Sequence, residues 1–213
     1  MSRTRSIGLV VGVAIVAIAA GMLLSRALLK SGSGEQQPAL ATGTYLGSAR
    51  PLPAIAFVDQ DGKPFGAERL RGRWSLLFFG FTSCPDVCPT TLAMLAQVEK
   101  MLADLPPQQR PQVVLVSVDP QRDTPAQLAT YVKFFSPSFT GITAPPAATE
   151  EFTRQMGVPV AISRLDGGGY TVDHSASIFL INPEGALQAL FSPPHTAKLI
   201  AADYKRVAAT AGA

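Results

Sequence analysis

The feature that most constrains this chain is an apolar run that leads directly into a pair of cysteines. Residues 76–81 form a continuous apolar segment, and a segment of this length is typical of a strand covered on both faces of a parallel or mixed sheet. Apolar residues then recur every three or four positions, which predicts an amphipathic helix; they are Leu92, Leu95, Val98, Leu102 and Leu105. Both cysteines of the chain, Cys84 and Cys88, therefore lie at a predicted strand-to-helix junction.

The junction affects what these two thiols can do. Free N–H groups and the positive end of the dipole at a helix N-terminus favour thiolate over thiol. Residues four apart on a helix share a face, so both sulfurs can reach one metal ion or each other. The alternative is a pair of buried apolar thiols. The flanking Pro85 and Pro89, together with the junction itself, favour a reactive pair.

The N-terminal part of the chain differs from the rest. Residues 7–24 are apolar, without charge or proline, and at about 1.5 Å per residue they nearly match a hydrocarbon core of about 30 Å. They predict a membrane anchor after a cytoplasmic tail at residues 1–6, with a cleaved signal peptide as the alternative. Residues 25–50 are rich in small and polar residues and predict a flexible linker. The predicted domain covers residues 51–209, followed by a tail at residues 210–213.

The charge distribution argues against a nucleic-acid partner. The net charge is +3, but residues 1–35 alone hold four basic residues and one acidic residue, which also sum to +3. The remainder is therefore neutral, and it contains no basic stripe or recognisable nucleic-acid motif. Two cysteines are too few for a disulfide scaffold, and about 160 residues can bury a core without one.

The order of elements predicts an α/β fold with a mixed sheet flanked by helices. Residues 113–118 form a second buried strand, and strand, helix and strand together make a right-handed crossover with parallel strands. Thr124 and Gln127 bracket a capping box that begins the next helix. A hairpin turns at residues 182–185, and a last helix begins after Thr196. This order is that of a thioredoxin-like domain.

Three residues outside the cysteine pair are candidates for supporting or ligand roles. Ligand sites in such sheets lie beyond the carboxyl ends of strands, where Asp119 either supports the site or is a turn residue before Pro120. His195 precedes the last helix and is predicted to be exposed. His174 would lie beside the cysteines if its strand runs antiparallel to the central strand. Asp173 would then orient the His174 ring or lie in solvent.

Two thiolates and one imidazole make a soft donor set of low coordination number. Such a set suits Cu(I) and tolerates Cu(II), whereas structural zinc normally takes four protein ligands. At this point the residues resemble the Sco/SenC family of copper proteins for cytochrome c oxidase assembly. The matching stretches are residues 79–89, residues 117–120 with 122–124, and residues 172–175.

The resemblance implies a thioredoxin-like domain tethered by one membrane helix and facing the periplasm or the mitochondrial intermembrane space; we expect the inner membrane, with the domain on the periplasmic side. It implies copper bound by Cys84, Cys88 and His174, and delivery of that copper to the dinuclear site of an oxidase subunit. The alternatives are a thiol-disulfide reductase for the cysteines of that subunit, or a copper and redox sensor. Other copper chaperones and thioredoxin-like reductants are further expected partners. Many relatives carry a histidine directly before the first cysteine, where this chain has Ser83.

Overall fold

The computed structural model describes residues 15–22, 24–25 and 38–210. Residues 15–22 and 24–25 are helical. The anchor expected over residues 7–24 lies only partly within these ranges, and the described residues include no helix with the length and hydrophobicity that crossing a bilayer requires. The tail expected at residues 1–6 lies outside them. So does the C-terminal tail, except for Thr210, which ends the last helix.

The part of the chain described from residue 38 to residue 210 forms ten strands and four α-helices. The strands are β1 (Gly43–Pro51), β2 (Phe57–Asp59), β3 (Pro64–Phe65), β4 (Ser75–Gly80), β5 (Gln112–Ser117), β6 (Thr140–Thr143), β7 (Val160–Arg164), β8 (Tyr170–His174), β9 (Ile178–Ile181) and β10 (Ala186–Phe191). The helices are α1 (Val87–Met101), α2 (Pro125–Phe135), α3 (Pro146–Met156) and α4 (Ala197–Thr210). Short 3-10 helices lie at Ala67–Leu70 and Pro107–Gln109.

Eight of these strands form one mixed sheet in the order β1-β10-β9-β4-β5-β6-β2-β3. Strands β4, β5 and β6 are parallel, and β9 joins the other side of β4 in the antiparallel sense. All six residues of β4 are buried, as its apolar sequence predicts. The predicted crossover from β4 through α1 to β5 is confirmed, and it places the carboxyl end of β4 and the start of α1 at one edge of the sheet.

The edge strand β1 is not predicted by the sequence. It pairs antiparallel with β10, with Gly43 opposite Phe191. Just before it, the N–H groups of Ala41 and Thr42 donate to the buried carboxylate of Asp203 on α4, at 2.9 Å each. The linker expected over residues 25–50 is therefore wrong for residues 43–50. The small and polar residues of β1 do not show the pattern of a strand. The strand forms because β10, near the far end of the chain, supplies its hydrogen-bond partners.

The segment that carries His174 also differs from the expectation. Strands β7 and β8 form a separate two-stranded hairpin and do not join the main sheet. The strand that pairs with β4 is β9, which begins with Ile178 opposite Phe78. His174 therefore ends the hairpin, and residues 175–177 connect it to the main sheet.

Candidate metal centre

The two cysteines lie in the turn between β4 and α1 and in the first turn of α1. Strand β4 ends at Gly80, and α1 begins at Val87. The N–H of Cys88 points at the Sγ of Cys84, at 3.4 Å. The first N–H groups of a helix lack partners within the helix, and this one is directed at the Cys84 sulfur.

Gly80 is required where β4 approaches the cysteines. A Cβ at this position would lie 2.9 Å from the Sγ of Cys88 and 3.2 Å from the Cδ1 of Leu115. Real Cβ atoms do not approach other atoms as closely as 2.9 Å, and 3.2 Å is tighter than most contacts, so any larger residue would displace the sulfur and press on the core side chain. The absence of a side chain at the end of β4 thus sets how closely the Cys88 sulfur packs on the strand.

The two thiols differ in exposure, and burial changes the acidity of Cys88. Cys88 is fully buried, whereas Cys84 is partly exposed. Burial raises the pKa of the Cys88 thiol well above its ordinary value, Cys84 and Asp123 raise it further, and a backbone hydrogen bond from Phe81 opposes them. Loss of solvation thus opposes, at Cys88, the thiolate expected at the helix N-terminus. Metal binding there must displace a proton.

This difference predicts the order in which the thiols are alkylated. In the reduced, metal-free protein we expect iodoacetamide to modify Cys84 well before Cys88, because the reagent needs an accessible thiolate. Raising the pH from about 7 to about 9 should speed modification of Cys88, whose raised pKa keeps it protonated at the lower value. Peptide mass spectrometry over time gives both rates. Denatured protein, in which the rates should converge, is the control, and equal rates in the folded protein would contradict the assignment.

His174 completes a cluster of three potential ligands. Its Nε2 lies 3.4 Å from the Sγ of Cys88. The ligand atoms of Cys84, Cys88 and His174 all lie within 4.8 Å of one another. The three residues predicted to converge are thus brought together, although His174 arrives on a hairpin and not on the strand beside β4.

The surroundings of His174 leave one ring nitrogen ready for a metal. Its Nδ1 lies 3.0 Å from the carbonyl oxygen of Ser175, which can only accept, so Nδ1 carries the proton and Nε2 faces the sulfurs with its lone pair. Phe78 and Phe81 pack edge-on against the ring, at centroid distances of 6.0 Å and 5.8 Å. Burial lowers the pKa of His174 below its ordinary value, which keeps the ring in the neutral, metal-binding form.

The two aspartates predicted to support the site lie farther out. Asp119 is buried and accepts hydrogen bonds from the hydroxyl of Tyr170, at 2.7 Å, and from Arg122. Asp173 is exposed and accepts from the hydroxyl of Ser163, at 2.7 Å. The His174 ring is therefore oriented by the hydrogen bond that it donates to a backbone carbonyl, and not by Asp173.

His195 is not the exposed residue that the sequence predicts. It is half-buried, and its Nε2 donates to the carbonyl oxygen of Ala176, at 2.7 Å. Ala176 lies in the connection between His174 and β9, so His195 holds that connection from the start of α4. The two prolines before His195 predict only a loop. The contact with Ala176 forms because the folded chain brings these two segments together, and no local sequence pattern predicts that.

A buried carboxylate near the cysteine turn is missed by sequence reasoning. Asp123 is fully buried and accepts from the N–H of Thr82, at 3.2 Å, and from the hydroxyls of Thr82 and Ser117, at 2.6 Å each. Burial raises its pKa above the ordinary value, while these donors oppose that shift. Asp123 thereby ties the turn before Cys84 to the end of β5. In the sequence it stands directly before the helix cap Thr124, where a carboxylate is usually exposed.

Comparison with known families decides the affiliation of the chain. The sequence model of the family described as SCO1/SenC matches residues 49–209, more than half of the chain. The match covers the cysteine turn, the Asp119 loop and the hairpin that carries His174. This chain belongs to the SCO1/SenC family. The resemblance of its motifs to Sco proteins is thereby confirmed.

Individual Sco proteins and relatives agree with this assignment. Over 147 residues the chain is 39% identical to a Stutzerimonas stutzeri protein named "Putative copper-binding protein", covering 68% of this chain and 71% of that protein. The crystal structure of Arabidopsis thaliana ScoI with copper bound superposes with a TM-score of 0.69 and 31% identity, over 73% of this chain and 96% of that one. The thioredoxin-like Sco fold is thus confirmed.

A further Sco structure carries a description of function. It is BsSco, described as a member of the Sco family of cytochrome c oxidase assembly proteins, with a TM-score of 0.61 and 25% identity over 78% of this chain and 96% of that one. Some relatives are longer than the shared region. The alignment spans 60% of the mouse mitochondrial protein SCO2 homolog, less than two thirds of its length.

Proposed function

We propose that this Sco protein is a copper chaperone that binds copper through Cys84, Cys88 and His174 and delivers it to the dinuclear copper site of a cytochrome c oxidase subunit during assembly. The observation that carries the proposal is the convergence of two sulfurs and one imidazole nitrogen within 4.8 Å. The copper-bound ScoI structure and the naming of BsSco as an oxidase assembly protein support it.

The donor set favours copper over zinc. Two thiolates and a neutral imidazole are soft to intermediate ligands that Cu(I) accepts at low coordination number. Structural zinc normally takes four protein ligands, and within the described part of the chain no fourth histidine, cysteine or carboxylate belongs to this cluster. A cargo ion held by three ligands on the edge of a domain can also leave by ligand exchange more readily than one in a closed cage.

A thiol-disulfide reductase is the second candidate, because both cysteines are free and their sulfurs are close. The Cys84 thiolate would attack a disulfide of the oxidase subunit, forming a mixed disulfide and releasing one subunit thiolate. Cys88 would then lose its proton to solvent and attack the Cys84 sulfur, leaving a Cys84–Cys88 disulfide and the second subunit thiolate. Two electrons pass to the subunit. The raised pKa of Cys88 slows the second step, which needs no metal ligand.

We also infer that the domain faces the periplasm from a single-pass anchor in the inner membrane. The inference rests on the apolar residues 7–24 and on the family resemblance. Protease digestion of intact and lysed spheroplasts tests it. Cleavage of the domain in intact spheroplasts supports the inference, and protection until lysis would contradict it.

The metal content of the purified, reduced protein tests the copper proposal. We expect one copper ion per chain after anaerobic loading, and a thiolate-to-copper charge-transfer band in the Cu(II) form. The band should disappear in both Cys84→Ser and Cys88→Ser. Ser83→Ala, which alters an exposed neighbour of Cys84 that is not a ligand, is the matched control. A band that survives in either cysteine variant would refute the proposed site.

Deletion of the gene in cells distinguishes copper delivery from copper sensing. If the protein delivers copper, deletion of its gene should lower cytochrome c oxidase activity, and added copper should partly restore it. If the protein only senses copper, oxidase activity should be unchanged at either copper level. Expression of the Cys88→Ser variant in the deletion strain should fail to restore activity, whereas the wild-type chain should restore it.

A further inference from the structure

The hairpin that supplies His174 is attached to the rest of the domain by side-chain contacts and not by backbone pairing with the main sheet. Strands β7 and β8 pair only with each other, outside the eight-stranded sheet. On β7 every residue is exposed, while on β8 only Val172 is fully buried. A two-stranded hairpin alone is marginally stable in water. Contacts between this hairpin and the rest of the domain must therefore determine where His174 lies.

Tyr170 and Arg122 make the main polar contacts between the start of β8 and the loop after β5. The Tyr170 hydroxyl donates to Asp119, at 2.7 Å, and the Tyr170 carbonyl accepts from Nη1 of Arg122, at 3.1 Å. The Arg122 guanidinium lies 4.0 Å from the centroid of the Tyr170 ring. Nε of Arg122 also donates to Asp119. The ring, the hydroxyl and the backbone of one hairpin residue are thus all held by a single loop.

The same guanidinium also reaches the aromatic wall of the metal centre. It lies 5.5 Å from the centroid of the Phe81 ring, and Phe81 packs edge-on against His174, with 5.8 Å between centroids. Arg122 therefore touches both the hairpin and the residue that follows β4. Aromatic faces attract a guanidinium, and its planar fork can stack and donate at the same time, which a lysine cannot reproduce.

We propose that Arg122 is a positioning residue. Its guanidinium lies against the rings of both Tyr170 and Phe81, and these contacts determine the position of the Nε2 of His174 relative to the two sulfurs. Arg122 does not touch the metal. It acts through the hairpin, so its removal allows His174 to move while Cys84 and Cys88 keep their places. The inference rests on the proposed function, because it concerns copper held by the cysteines together with His174.

A double-mutant cycle on the full-length protein tests the role. Arg122→Ala should lower the affinity for Cu(I) by about 10- to 100-fold, as losses of outer-shell partners typically do. In the His174→Ala background the same change should alter affinity only within about twofold, the usual error of additivity. The Cu(II) charge-transfer spectrum of Arg122→Ala should shift toward that of His174→Ala. Equal losses in both backgrounds, or no loss in either, would overturn the proposal.

Conservative and control variants sharpen the result. Tyr170→Phe keeps the ring beneath the guanidinium and loses only the hydroxyl that reaches Asp119, so its loss should be smaller than that of Arg122→Ala. Arg122→Lys keeps the charge without the planar stack and should not restore wild-type affinity. Arg154→Ala removes an exposed arginine of α3 that pairs with Glu151 and should change nothing. Full restoration by lysine would show that charge alone matters, and it would contradict a role for stacking of the guanidinium on the two rings.

A metal-free measurement separates this inference from the proposed function. Hydrogen exchange in the apo protein should become faster across β7 and β8 in Arg122→Ala, while β4 and α1 stay protected. Unchanged exchange in the hairpin, or faster exchange throughout the domain, would overturn the positioning role. If instead His174→Ala leaves copper affinity unchanged, the proposed function fails, and the exchange result still decides whether Arg122 holds the hairpin.

Discussion

Replacement of His174 by alanine is expected to weaken copper binding by more than about 100-fold, which exceeds the usual loss on removing an outer-shell partner. His174 provides the third donor of the cluster, and its Nε2 faces the sulfurs because Nδ1 is bonded to Ser175. The remaining dithiol should still exchange with a disulfide substrate, since attack of a thiolate on a disulfide needs no third donor. The same variant thus separates the chaperone from the reductase.

An anaerobic competition titration against a Cu(I) chelator measures the affinity, and reduction of a small disulfide measures the exchange rate. The matched control is His195→Gln, which alters the other histidine of the chain and keeps a donor for the carbonyl of Ala176. This control should bind copper as the wild type does. Unchanged copper affinity in His174→Ala would eliminate the chaperone proposal. Loss of the exchange reaction would show that His174 also serves the thiols.

Replacement of Asp123 by alanine is expected to lower the free energy of unfolding by at least about 3 kcal/mol, because each buried donor left without a partner costs about 1–3 kcal/mol. Three donors from Thr82 and Ser117 converge on this carboxylate; Ser117 and Asp123 are fully buried, and Thr82 is half-buried. For a domain of this size the change corresponds to a fall in Tm of roughly 6–12 °C. The turn that leads to Cys84 should loosen at the same time.

Urea unfolding measures the loss, because Trp74 is the only tryptophan and is buried, so its fluorescence follows the domain. Asp123→Asn should be milder than alanine, since the amide keeps one acceptor, although its NH2 group must face a donor. Asp104→Ala, which removes an exposed carboxylate paired with Lys205, should leave Tm nearly unchanged. A Tm of Asp123→Ala equal to that of the wild type would refute the bracing role of this carboxylate.

The two predictions concern different parts of one site. His174 supplies an atom to the metal, whereas Asp123 holds the turn from which Cys84 projects. Loss of the first should leave the fold intact, and loss of the second should weaken the fold together with the site. Thermal unfolding of His174→Ala therefore serves as the reference for Asp123→Ala, whose Tm should be the lower of the two.

Features that depend on neighbouring residues could be predicted from the sequence. The apolar run of β4, the helix after the cysteines and the strand β5 follow from burial and periodicity. The capping box that begins α2 is also confirmed, with Thr124 and Gln127 bonded reciprocally. In each case the atoms that stabilise the element lie within one or two turns of it, so their pattern is visible in a short window of sequence.

Features that depend on distant residues were predicted less well or were missed. His174 and Cys88 are 86 residues apart, and their convergence was predicted only by assuming a thioredoxin-like arrangement. Thr82 and Asp123 are 41 residues apart, and no local pattern marks their contact. The partner of β1 is the last strand of the sheet, and Asp203 lies 161 residues from Thr42. Composition alone therefore predicted a linker where a strand forms.

The sequence by itself determined the reactive end of the molecule, namely a buried strand that leads two cysteines into the start of a helix, and the family to which those motifs belong. Only the tertiary structure decided that Cys88 is fully buried, which raises the pKa of its thiol, that His174 ends a separate hairpin, and that Arg122 contacts Tyr170 and Phe81 while Asp123 contacts Thr82. Solvation and side-chain contacts depend on which distant segments surround a residue, and those neighbours exist only once the chain is folded.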